Sequence, residues 1–95
     1  MHEMGVASSV LEAVHKELAR HEGEGAPHVR KPLRATRVAL RIGEFAGVDP
    51  ESLRFCFDAI KQGTEFEALE LDIEWREQTD QLDFVALELE EEAVA

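Results

Sequence analysis

Arg37–Phe57 reads RVALRIGEFAGVDPESLRFCF, and this run carries a strand, a turn and the start of a helix. Val38, Leu40 and Ile42 alternate with Arg37, Ala39 and Arg41, the two-residue period of a half-buried strand, here extending from Arg34 to Phe45. Gly43, Gly47 and Asp49-Pro50 follow as a turn. Asp49 offers the short carboxylate that caps a helix, and Pro50 suits the first helical position, where no amide donor is needed. Leu53, Cys56, Phe57 and Ile60 then recur at helical spacing, and Gly63 stands where a left-handed terminator belongs. Cys56 lies on that apolar stripe and reads as a buried core thiol.

Upstream, Val6, Val10, Leu11, Val14 and Leu18 recur every three or four residues between about Gly5 and His21, so a first amphipathic helix precedes the strand. Ser8 and Ser9 fall inside it, and Gly23 and Gly25 stop it. Residues 22–34 hold two glycines and two prolines without apolar period and read as a loop. Downstream, Leu69, Leu71, Ile73 and Trp75 alternate with acids, as do Val85, Leu87 and Leu89, giving two more strands. The short polar link Glu77–Gln81 between them is consistent with a hairpin. Their acidic faces belong beside Arg37 and Arg41, because opposite charges on neighbouring strands contribute about 0.2 to 1 kcal/mol per pair. Two helices and three strands, each with one apolar face, close as an α+β domain with both helices on one face of a small three- to four-stranded sheet. Residues 2–4 supply the optional fourth, edge strand.

Ninety-five residues make a single domain, 1–95, with one core. The formal net charge of -11 argues against nucleic acid as a partner, since phosphate is gripped mainly by Lys and Arg. No apolar run is long enough to cross a bilayer and no secretory signal opens the chain, so a cytoplasmic protein without membrane contact is expected. Cys56 is the one cysteine, which excludes a disulfide framework and a thiolate zinc site within the chain. No nucleophile–base pair and no Gly-rich phosphate loop is found, so an enzyme is not expected.

The chain opens Met1-His2-Glu3-Met4. The amine of Met1, the amides of His2 and Glu3 and the nearer ring nitrogen of His2 can lie in one plane around a metal ion. Square-planar nitrogen sets select Ni(II) or Cu(II). From these residues alone, a frayed terminal histidine is the simpler reading.

The opening MHEM, the helix ASSVLEAVHKELARH, the stretch RVALRIGEFAGVDPESLRFCF, the following AIKQGT and the strand LELDIEW together resemble the nickel-binding domain of the HypA family, metallochaperones for [NiFe] hydrogenase and, in some organisms, urease. The resemblance implies a Ni(II) site at Met1, His2 and Glu3. It also implies two partners, a nickel-handling GTPase and a hydrogenase large-subunit precursor. Asp49 falls where some members carry an acidic residue near the metal, although capping already accounts for it. The family inserts a zinc module with two Cys-x-x-Cys pairs before the last strand, where this chain has only REQTDQ, so no zinc is expected. The nickel sphere is then completed by water, by the Glu3 carboxylate or by a second chain in a homodimer. The alternative is a zinc-less adaptor for the same partners with a vestigial metal site.

Overall fold

The computed structural model describes residues 2–23 and 32–92. The elements run α1 (Glu3–Glu22), β1 (Leu33–Gly43), α2 (Pro50–Lys61), β2 (Glu70–Arg76) and β3 (Leu82–Glu91). This is the α+β arrangement read from the sequence, with a three-stranded sheet. α1 contributes Ala7, Val10, Val14 and Leu18 to the core and α2 contributes Leu53 and Phe57, which meet Val38, Leu40 and Ile42 of β1. The alternation along β1 and the helical stripes thus describe two sides of one interface. Among the described residues no helix is long and apolar enough to cross a membrane.

The hairpin expected at Glu77–Gln81 is not formed. The strand order is β2-β1-β3, with β1 parallel to β2 and antiparallel to β3. β1, α2 and β2 form a strand–helix–strand unit, and such a crossover makes its two strands parallel. β3 then takes the free edge of β1. That choice gives the arginines of β1 carboxylates on both flanks: Arg37 lies 3.0 Å from Asp72 and 3.5 Å from Glu88, Arg41 is 3.3 Å from Glu74, and Arg34 is 3.3 Å from Glu90. These pairs are partly exposed, so each is worth only a few tenths of a kcal/mol by the usual ~0.2–1 kcal/mol range.

Residues 77–81 instead cross the end of β1. Gly43 N–H donates to the Gln81 carbonyl at 2.7 Å and Phe45 N–H to the Thr79 carbonyl at 2.8 Å. Gln78 sits at φ 59°, in the left-handed region, with its N–H donated to the Glu44 carboxylate at 3.0 Å. The crossing backbone passes so close to Gly43 that a Cβ there would lie 2.8 Å from Gln81 N and overlap the Thr79 carbonyl. The glycine is therefore demanded by close approach.

α2 begins as read, with Asp49 accepting from Glu51 N–H at 3.0 Å and Pro50 in the first turn. Its Arg54 and Lys61 donate to the Leu71 and Leu69 carbonyls at 2.6 and 2.8 Å, covering groups at the β2 edge. Two further expectations are corrected. Residues 2–4 form no edge strand, because Glu3 and Met4 already belong to α1 and His2 is its N-cap. An acid in the first turn is favoured by the helix dipole, and Glu3 occupies that place. Cys56 is half-buried rather than buried, at the margin of the core.

Candidate metal centre

The two helices start at the same corner of the domain. His2 has extended backbone angles (φ -83°, ψ 119°), and its carbonyl accepts the first helical hydrogen bond of α1, from Val6 N–H at 3.2 Å. No side-chain cap serves this end. The first four amides of a helix have no partner within it, so the N–H groups of His2 and Glu3 stand outside the helical ladder. The His2 side chain is exposed and Glu3 is half-buried.

Glu3 reaches across to α2. Its carboxylate accepts from Asp49 N–H at 3.4 Å, a contact between residues 46 apart in the chain. The Asp49 carboxylate is itself occupied, accepting from Glu51 N–H and, at 3.4 Å, from the Ser52 hydroxyl. Asp49 is therefore a helix cap, as its place before Pro50 indicated. His2, Glu3, Met4, Asp49, Phe55 and Cys56 border one shallow depression of about 460 Å³. His2 also borders an apolar groove of about 580 Å³ between α1 and the start of β3.

Of the three expected ligands, His2 and Glu3 are adjacent at the head of α1, and Met1 lies outside the described residues. Among the described residues no three His, Cys, Asp or Glu side chains converge closely enough to hold a metal ion. Among the described residues, side chains alone thus build no metal site at this corner. Sequence reasoning missed the Glu3–Asp49 contact, for which no local signal exists. It also missed Phe55, whose position off the α2 stripe already marked it as outward-facing.

Fold and corner together define a small α+β domain whose helices share a carboxylate-lined start next to a terminal histidine. Residues 1–81 match the family described as "Hydrogenase/urease nickel incorporation, metallochaperone, hypA", and the chain belongs to that family. Hydrogenase maturation factor HypA of Chlorobium limicola is 51% identical over 74 residues, covering 78% of this chain and 56% of that protein. The Methanopyrus kandleri factor of the same name is 43% identical over 74 residues, 78% of this chain and 46% of its own length. The chain spans about half the length of these curated relatives. The solution structure of the Ni metallochaperone HypA from Helicobacter pylori superposes with a TM-score of 0.65 at 17% identity, over 90% of this chain and 72% of that one. At that identity the likeness is one of fold.

Proposed function

We propose that this domain binds Ni(II) at its amino terminus and delivers it during maturation of [NiFe] hydrogenase, as a metallochaperone and not as a catalyst. The ligands are the amine of Met1, the amides of His2 and Glu3 and the imidazole of His2. One observation carries the reading: His2 is an extended N-cap, so the two amides that must lose their protons to nickel are absent from the helical hydrogen-bond ladder. Binding metal there costs α1 none of its own hydrogen bonds. The membership in a family described by nickel incorporation supports the choice of metal.

Nickel is the cargo. The link Glu77–Gln81 contains neither Cys nor His, so no zinc site is proposed there, and residues 1–95 act as a single domain. The partners proposed are a nickel-handling GTPase and the hydrogenase large-subunit precursor, and the site of action is the cytoplasm. Calorimetric titration of the untagged protein with Ni(II) tests the reading. Stoichiometric binding in the wild type and its loss in His2→Ala, with the unfolding midpoint unchanged, is the expected result. Equal affinity in both proteins would remove His2 from the site.

A further inference from the structure

Phe55 is 75% exposed, although its neighbours on α2, Leu53 and Phe57, are wholly buried. Met4, 45% exposed in the first turn of α1, lines the same depression. Two large apolar side chains from different helices thus face solvent together. Glu3, Asp49 and Glu51 surround them, and among the described residues none of these three carboxylates has a basic side chain within ion-pair distance.

The cations of the described residues are engaged elsewhere. Lys16 pairs with Glu12, Arg20 with Glu17, Arg34 with Glu90, Arg37 with Asp72 and Glu88, Arg41 and Arg76 with Glu74, and Lys61 with Asp58. Arg54 donates to the Leu71 carbonyl. Helix N-termini offset part of the carboxylate charge but supply no counter-ion. On a chain of net charge -11 this corner offers an apolar seat inside a negative rim.

We propose that the Phe55–Met4 patch docks a segment of a partner protein in which an apolar side chain is flanked by Lys or Arg. Charge complementarity selects that occupant. A second copy would bring the same carboxylates against themselves, and anionic lipid or nucleic acid would be repelled for the same reason. The depression of about 460 Å³ has room for one large anchor and its immediate neighbours. Because it borders His2, a partner seated there would come to rest beside the amino terminus. The proposal rests on the proposed function only for the choice of proteins to try.

The test titrates the purified maturation GTPase and, in parallel, the hydrogenase large-subunit precursor against the full chain without nickel. Phe55→Ser and Glu51→Lys are compared with wild type, since neither residue is in the core or among the proposed ligands. Phe55→Ser, which removes the apolar seat, is expected to weaken binding about 30-fold or more. Glu51→Lys should weaken it about 10-fold, and wild-type affinity should fall with added salt. Circular dichroism on each variant checks that the fold is kept. If neither protein binds in a Phe55-dependent way, the proposal is overturned. It is equally overturned if sedimentation shows wild-type dimers that Phe55→Ser converts to monomers, which would assign the patch to a second copy. Nickel titration of the same proteins separates the two readings: Phe55-dependent docking by a chain that binds no nickel would sink the proposed function alone.

Discussion

Gly43→Ala should damage this domain although alanine is ordinarily the better-tolerated residue. At a position whose backbone angles suit any residue, Gly→Ala stabilises by about 0.4 to 1 kcal/mol through the unfolded chain. Here the added methyl would stand 2.8 Å from Gln81 N and run into the Thr79 carbonyl, both backbone atoms of the crossing link. The link has to move outward, and overpacking of this kind costs roughly 1 to 3 kcal/mol. The hydrogen bonds from Gly43 and Phe45 to Gln81 and Thr79 are strained at the same time, at about 1 kcal/mol each if lost. The net expectation is a destabilisation of about 2 to 4 kcal/mol, measured by reversible urea unfolding. Faster hydrogen exchange at the amides of Gly43 and Phe45 should accompany it. A variant as stable as wild type, or more stable, would mean that the link does not cross β1 as described.

Leu40→Ala and Phe57→Ala, at residues 3% and 0% exposed, should each cost about 2 to 5 kcal/mol in the same unfolding assay; less than about 0.5 kcal/mol would place them on the wrong face. Asp49→Ala should cost about 1 kcal/mol by removing the α2 cap, and Asp49→Asn should recover most of it, which thermal unfolding can read. Acetylation of the Met1 amine should abolish specific nickel binding with no loss of helix by circular dichroism, because it removes one donor of the proposed chelate. Nickel affinity should fall as the solution is made more acidic, since protons and metal compete for the same nitrogens; calorimetry at several pH values would detect a flat profile.

The strand–turn–helix core was legible because Val38, Leu40 and Ile42 keep a period of two and Leu53, Phe57 and Ile60 keep the helical one, so each element declared its buried side locally. The order of the strands was half legible. Arg37 and Arg41 called for acids on both sides, which is a central β1, yet the short link after β2 suggested a hairpin. What decided between them is the close passage of Thr79–Gln81 over Gly43, which is specified in space and leaves only a glycine in the sequence. The chelate proposed at Met1, His2 and Glu3 rests on residue types alone, while the outward aim of Phe55 follows from its place off the α2 stripe although the sequence reading passed over it. The contact of Glu3 with Asp49 joins two elements across the fold and had no periodic signature. Residues 2–4 were misjudged because three residues carry no period, whereas the first-turn acid Glu3 extends α1 to its cap.

The central claim is that nickel is held by nitrogen at the chain's own amino terminus. Visible absorption of the untagged protein during Ni(II) titration, with intact mass confirming an unblocked Met1, tests it most directly. A planar nitrogen chelate predicts a yellow, low-spin complex that saturates at stoichiometric nickel and disappears in His2→Ala. A nearly colourless complex, or a yellow one that survives both His2→Ala and acetylation of the amine, would contradict the claim.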